Sequence, residues 1–294
     1  MPTVTANKLQ IEYESFGSDA APVILLIMGL GAQLNRWSIE LCDALVDRGF
    51  RVLRFDNRDC GLSSKLDEAG VPDIGRALRS GVPPDAPYSL EDMAADCIGL
   101  LDALGIMAAH VVGASMGGAI AQIVAARYPQ RSLSLTSIMS TSSHPDLPPP
   151  TSDAAQALLA PLPAARDRES LVEDAIRRQL AVASPEYPSC PDRLRSQLVE
   201  EHERGFHPRG VTRQLAAFLA SGDRRGLLAT IKVPTLVLHG ADDPLIPLAC
   251  GEDVAAHIPG AELRVIEGMA HDFPLALTDV FADAIAAVAS RSQR

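Results

Sequence analysis

Several features that would assign a protein class at once are scarce or missing in this sequence of 294 residues. No apolar run reaches the ~20 residues of a membrane-spanning helix, and the start, MPTVTANKLQ, lacks the basic and apolar regions of a secretory signal. The five cysteines are odd in number and have no C-x-x-C spacing. We therefore expect a cytoplasmic protein with reduced thiols, no disulfide framework and no metal site.

Basic residues are also in the minority. The chain has 26 Lys and Arg against 37 Asp and Glu, which gives a formal net charge of −11. This balance provides no basic surface for nucleic acid, and it repels anionic lipids and polyanionic substrates. We expect a neutral or cationic small molecule as ligand, with neither nucleic acid nor membrane as a partner, and the oligomeric state stays open.

What is present is an ordinary globular composition, with 47% apolar and 21% charged residues. Short β-rich runs alternate with helical patterns, which is typical of an α/β fold with a mostly parallel sheet flanked by helices. The predicted strands cover residues 9–16, 23–28, 51–55, 110–113, 133–139, 235–239 and 263–266. The predicted helices cover residues 37–48, 90–104, 119–127, 169–183, 191–204, 211–220 and 275–290.

This alternation is interrupted at residue 142, where the proline-rich stretch SSHPDLPPPTSD begins. The ~90 residues after it have helical patterns and no clear strand. We interpret residues 142–229 as a helical cap, inserted into an α/β core that residues 1–141 and 230–294 form.

The strongest chemical signal is GASMGG at residues 113–118, which follows a β-branched run and precedes an alanine-rich helix. In that context a G-x-S-x-G sequence holds a nucleophilic serine in a strained turn, and the N-terminus of the next helix favours developing negative charge. We therefore predict Ser115 as the nucleophile. The simpler alternative is a glycine-rich turn that only ends a strand.

A serine hydroxyl needs a base to remove its proton, and the chain has seven histidines. His271 follows the last predicted strand in the loop EGMAHD, beyond the end of the sheet, and is the predicted base. His110 and His239 lie in predicted buried strands, where a structural imidazole is expected, and the other four lie in the cap or on helix surfaces. A loop histidine without a role is the alternative for His271.

The acid that orients this histidine is expected in the loop GADDPLIP, which offers Asp242 and Asp243. Asp243 precedes Pro244, and a residue before proline is restricted to extended backbone, which narrows the directions of its side chain. We therefore predict Asp243 as the acid and assign Asp242 to the turn. Either aspartate alternatively serves an Asx-turn or a helix cap.

Two backbone N–H groups are needed to bind the tetrahedral oxyanion. One is expected from Met116, directly after the nucleophile, and the other from Leu30 in the turn MGLG. Met28 and Gly29 of that turn, together with Met269, are expected to bind the substrate. The turn by itself is a weak signal, since it is also compatible with a plain tight connection.

Four motifs in this order resemble the α/β-hydrolase superfamily: MGLG, the segment DNRDCGLS at residues 56–63, GASMGG, and the pair GADDPLIP and GMAH. Among its members the chain is most similar to bacterial esterases of the aclacinomycin methylesterase type. The resemblance implies cofactor-free hydrolysis of a carboxylic methyl ester. It also supports Asp243, which the family pattern G-x-x-D reaches when counted from Gly240.

The chain departs from the pattern of most relatives at two positions. Met28 stands where a histidine is usual, so any hydrogen bonding by that histidine is absent. Asp59 stands where a glycine is usual, and its partner is left open between Arg58 and another neighbour.

We expect a serine hydrolase that cleaves an uncharged small-molecule carboxylic ester through an acyl-enzyme, without metal or cofactor. A lactonase, a C–C bond hydrolase or a perhydrolase would use the same three residues and is the alternative. A ligand-binding protein without turnover is a further alternative. Epoxide hydrolases and dehalogenases are disfavoured because their nucleophile is an aspartate.

Overall fold

The computed structural model describes residues 2–159 and 167–293, which contain one eight-stranded sheet. The spatial order of its strands is β1-β2-β4-β3-β5-β6-β7-β8. The strands are β1 Thr3–Ala6, β2 Leu9–Phe16, β3 Val23–Ile27, β4 Arg51–Phe55, β5 Ala109–Ala114, β6 Ser132–Ile138, β7 Thr235–Gly240 and β8 Glu262–Ile266.

Of the eight strands described, β2 alone runs against the direction of the others. β1 pairs antiparallel with β2, β2 pairs antiparallel with β4, and all further neighbours are parallel. Sequence analysis predicted a strand at the residues of β2 but missed β1. This strand is four residues long at the sheet edge, and Ala6 is its one buried residue, so it has no apolar alternation to detect.

Helices cover both faces of the sheet, which confirms the predicted fold class. The described helices are α1 Ile39–Asp47, α2 Ile74–Ser80, α3 Leu90–Ala103, α4 Met116–Arg127, α5 Ser152–Leu159, α6 Arg168–Leu180, α7 Pro191–Gly205, α8 Pro208–Ala220, α9 Arg225–Leu228, α10 Leu248–His257 and α11 Thr278–Ala289. Helix α3 begins at a capped end, where the Ser89 hydroxyl accepts from Asp92 N–H in a reciprocal capping box.

The core consists of two apolar clusters, one on each face of the sheet. In β3 all five residues are buried, and alternate side chains belong to different clusters. Leu25 and Ile27 join the cluster with α3, α4 and α10, whereas Ile24 and Leu26 join the cluster with α1 and α11. This two-sided burial explains why the strand is a continuous apolar run rather than an alternating one.

The connection between β6 and β7 contains α5 to α9, and its described residues include no strand. Residues 160–166 of the predicted cap lie outside the described residues. The boundaries 142–229 remain a prediction.

Asp59, whose partner the sequence left open, forms a buried ion pair with Arg213 of α8. Both side chains have 0% exposure, and two hydrogen bonds of 2.7 and 2.8 Å join the guanidinium to the carboxylate. The Tyr88 hydroxyl donates a third at 2.9 Å. Arg58 pairs instead with Asp96 of α3, at 2.6 Å. The partner of Asp59 therefore comes from a helix far along the chain.

Burial alone raises the pKa of the Asp59 carboxyl, but hydrogen bonds outweigh this effect. They come from Arg213, from Leu66 N–H and from Tyr88, and the pKa of Asp59 lies below its ordinary value. The carboxylate is thus charged in the native protein and depends on Arg213 for compensation.

We expect Arg213→Met to lower the free energy of unfolding by about 3–5 kcal/mol, because it leaves the Asp59 carboxylate buried without its cation. Urea unfolding followed by circular dichroism measures this change. Arg195→Met is the control, since Arg195 of α7 forms solvent-exposed pairs with Glu169 and Glu173 and should matter little. Equal losses in the two variants would contradict the prediction.

Candidate active site

Ser115 lies in the turn between β5 and α4, in a backbone conformation that is rare for a residue with a side chain. Its φ is 55° and its ψ is −123°. The turn requires glycine on either side: a Cβ at Gly113 would lie 2.1 Å from the Gly117 carbonyl oxygen, and one at Gly117 would lie 2.2 Å from the Ile27 carbonyl oxygen. The G-x-S-x-G spacing is therefore explained by backbone packing.

His271 lies in the loop after β8, as predicted, and its Nε2 is 3.0 Å from Ser115 Oγ. Residues of the segment that follows α6 form hydrogen bonds with this loop. His271 N–H donates to the Val182 carbonyl at 3.0 Å, and the Ser184 hydroxyl both accepts from Ala270 N–H and contacts the Asp272 carboxylate.

Asp243 lies in the loop after β7, and its side chain has 0% exposure. Asp243 Oδ2 is 2.7 Å from His271 Nδ1. Asp243 Oδ1 accepts from the N–H groups of Leu245 and Ile246 at 2.9 and 2.8 Å. The neighbouring Asp242 is exposed, and its N–H donates to the Met269 carbonyl at 3.0 Å.

This arrangement determines which imidazole nitrogen carries the proton. A carboxylate accepts hydrogen bonds, so Nδ1 of His271 is the donor to Asp243. The lone pair of Nε2 then faces the Ser115 hydroxyl, which can donate to it. Proton transfer from the serine to the histidine is geometrically possible in this state.

His110 and His239 are buried, which confirms the prediction that they are structural. His110 Nδ1 lies 2.9 Å from Ser134 Oγ, and burial lowers its pKa to about 4. His239 Nε2 donates to the Ile246 carbonyl at 2.7 Å, and burial also lowers its pKa. His239 thus supports the turn that carries Asp243.

The turn after β3 lies directly against Ser115. A Cβ at Gly29 would be 3.0 Å from Ser115 Cβ, so the close approach needs glycine there. Among the described residues, neither Leu30 N–H nor Met116 N–H has a hydrogen-bond acceptor. These are the two donors that the sequence predicted, and both are free to bind an anion.

A cavity of about 630 Å³ opens above Ser115 and His271. Met28, Gly29 and Leu30 line it, as expected for residues that contact a substrate. Met269 does not line it, so the cavity gives no support to the predicted role of Met269 in substrate binding. Its side chain has 0% exposure and packs in the core cluster beside α11.

Other parts of the cavity wall were missed by sequence analysis. Arg36 Nη1 donates to Gln179 Oε1 at 2.7 Å, and Arg36 also pairs with Glu201. These residues come from three separate segments and form no motif. For Gln179 on α6 and Glu201 on α7, their position in the predicted cap was the one sequence feature that could have indicated a place in the cavity wall.

Within the described ranges, no three or more His, Cys, Asp or Glu side chains are grouped to hold a metal ion. No helix described is long and apolar enough to cross a membrane.

The model of the α/β hydrolase fold family matches residues 22–275. The chain is 28% identical to rhodomycin D methylesterase of Streptomyces peucetius over 98% of each chain. It is 26% identical to 3-oxoadipate enol-lactonase 2 of Acinetobacter baylyi, over 98% of this chain and 96% of that one. The solved enol-lactonase from Burkholderia xenovorans LB400 superposes with a TM-score of 0.75 at 24% identity, covering 98% of this chain and 100% of that one.

These matches confirm the resemblance that the four motifs indicated. The family match spans strands β3 to β8, the turn that carries Ser115 and the loop that carries His271. The chain therefore belongs to the α/β-hydrolase family and is a hydrolase related to esterases.

Proposed function

We propose that the protein hydrolyses an uncharged small-molecule carboxylic ester through an acyl-enzyme formed on Ser115. The observation that carries this proposal is the chain of contacts from Asp243 through His271 to Ser115, with distances of 2.7 and 3.0 Å. It ends at a hydroxyl that lines a cavity of about 630 Å³, a suitable size for a small-molecule site. The methylesterase relative supports an ester as the substrate.

The charges of the cavity support an uncharged substrate. Two arginines line it, and both already have carboxylate partners: Arg36 pairs with Glu201, and Arg193 pairs with Glu40. Within the described lining, no cation is left unpaired to bind an anionic substrate.

The proposed reaction has two halves. Ser115 Oγ attacks the ester carbonyl while His271 Nε2 takes its proton, and the resulting oxyanion binds to Leu30 and Met116 N–H. His271 then donates this proton to the departing alcohol as the ester bond breaks. A water molecule next attacks the acyl-enzyme, gives its proton to His271 and releases the acid, and the Ser115 hydroxyl is restored.

We propose that residues 142–229 act as a cap that selects the substrate. Residues from three parts of this region line the cavity, among them Leu158, Val182 and Leu194. Because they lie outside the reacting centre, they can vary the shape of the bound molecule without changing the chemistry. A cytoplasmic location and the lack of nucleic acid or membrane partners remain predictions from composition.

Ser115→Ala should abolish more than 99% of turnover of a neutral aryl ester, because no other group can form the acyl-enzyme. The fold should persist, since one hydroxyl contributes only about 1 kcal/mol. Ser137→Ala is the control, because it removes a serine hydroxyl that is buried on β6 and lies away from the cavity. Labelling with a fluorophosphonate should occur in the wild type and be lost in Ser115→Ala, and an unlabelled wild type would favour a non-catalytic binding protein.

Asp243→Asn should reduce kcat by roughly 10³–10⁴-fold, because an amide in place of the carboxylate favours the wrong tautomer of His271. Asp242→Asn removes the same charge from the adjacent, exposed residue and should cost far less. Steady-state kinetics of the two folded variants measure the difference. If Asp242→Asn were the more damaging change, the acid would have to be reassigned.

Lactone hydrolysis is the second candidate function, which the similarity to an enol-lactonase favours. The contacts of Ser115 and His271 suit either acyl donor, so substrate shape must decide between them. We expect methyl and aryl esters to have higher kcat/KM than γ-lactones and δ-lactones of equal size. A lactone turned over at least tenfold better than every matched ester would reverse the assignment.

A further inference from the structure

The peptide group that carries Leu30 N–H lies between two anchored peptide groups. On one side, Asn57 Nδ2 donates to the Met28 carbonyl at 2.9 Å. On the other side, Gly31 N–H donates to Gln214 Oε1 of α8 at 2.8 Å. Only the dihedral angles of Gly29 and Leu30 separate the two anchors. The Gly29 carbonyl of the same peptide group also accepts from Ala32 N–H at 3.3 Å, so the two anchors and this local contact together set the direction of the Leu30 N–H bond.

Gln214 also connects this turn to Arg58, the residue before Asp59, which is the ion-pair partner of Arg213 on α8. Its Nε2 donates to the Arg58 carbonyl at 2.7 Å, so both ends of one amide are used. The side chain is completely buried. The hydrogen bond to the Arg58 carbonyl is buried and the one from Gly31 N–H is partly buried, so removing the amide deprives two backbone groups of partners that water replaces only in part.

Other residues of α8 fix the position from which Gln214 reaches the turn. Gly31 has φ +65°, and a Cβ there would lie 2.7 Å from Val211, one turn before Gln214 on the helix. Arg213, next to Gln214 in sequence, is paired with Asp59. Helix α8 thus packs closely against the turn at Gly31, and the buried ion pair between Arg213 and Asp59 stabilises this position.

We infer that Gln214 is a positioning residue for the oxyanion site, which would make α8 a part of the catalytic support as well as of the predicted cap. This inference rests on the proposed function of Leu30 N–H. Negative charge on the carbonyl oxygen develops in the transition state, so a displaced donor weakens binding of that state more than binding of the substrate. Loss of the Gln214 anchor should accordingly lower kcat and leave KM nearly unchanged.

The test compares Gln214→Leu and Gln214→Glu with Gln122→Leu. Gln122 of α4 is an equally buried amide that donates to Ser137 Oγ, away from the oxyanion turn. Its replacement controls for the general effect of losing the hydrogen bonds of a buried amide. We expect Gln214→Leu to lower kcat roughly 10–100-fold with KM within twofold, since a small displacement of a catalytic group has effects of this order. Gln214→Glu keeps an acceptor for Gly31 N–H and should lose less, whereas Gln122→Leu should stay within threefold of wild type.

A second readout separates positioning from a general loss of structure. Phenylboronic acid forms a tetrahedral adduct with a reactive serine, and its negative oxygen occupies the oxyanion site. For both Gln214 variants the inhibition constant should rise by about the same factor as kcat falls. Binding of the intact ester, measured in the Ser115→Ala background, should not change.

Three results would overturn the inference: an unchanged kcat in folded Gln214→Leu, an equal loss of kcat in Gln122→Leu, or a loss of kcat without weaker boronate binding. If Gln214→Leu does not fold, the proportionality between kcat and the boronate constant is read from Gln214→Glu. Failure of the proposed ester hydrolysis looks different, because the wild type would bind boronate but turn over no ester. The effect of Gln214 on boronate affinity would then still decide the inference.

Discussion

The site depends on the contact of backbone with backbone at the turn that carries Ser115. Neither Gly113 nor Gly117 has room for a Cβ, because carbonyl oxygens of α4 and β3 occupy that space. The contact brings the N-terminus of α4 against the end of β3. As a result, Leu30 and Met116 present their N–H groups beside a serine whose own backbone is strained.

A second constraint joins the region between β6 and β7 to the rest of the molecule. Residues 56–59 form two buried ion pairs with it, Asp56 with Arg204 of α7 and Asp59 with Arg213 of α8. Burying charges is expensive, but once the pairs are formed, separating either one leaves an uncompensated charge. The pairs therefore hold α7 and α8 in one position over the turn that follows β3.

This construction assigns chemistry and selectivity to different parts of the chain. Ser115, His271 and Asp243 all follow strands of the sheet, where parallel strands end at a common edge. Much of the cavity wall comes from α5 to α7 and their connections. Relatives with the same family fold act on different acyl compounds, a methyl ester and an enol-lactone by their names, which fits a constant centre under a variable wall.

The sequence by itself determined the fold class, most strands and the order in which Ser115, Asp243 and His271 occur. These features are local: apolar periodicity, glycine spacing and a residue before proline are visible in short windows. Tertiary structure alone decided the partner of Asp59, the burial of Met269 away from the cavity and the contact of Gln214 with Gly31. Each depends on which distant segments meet, and Gln214 and Gly31 are 183 residues apart. No short window contains both partners of such a contact, so their pairing follows from the packing of α8 against the sheet.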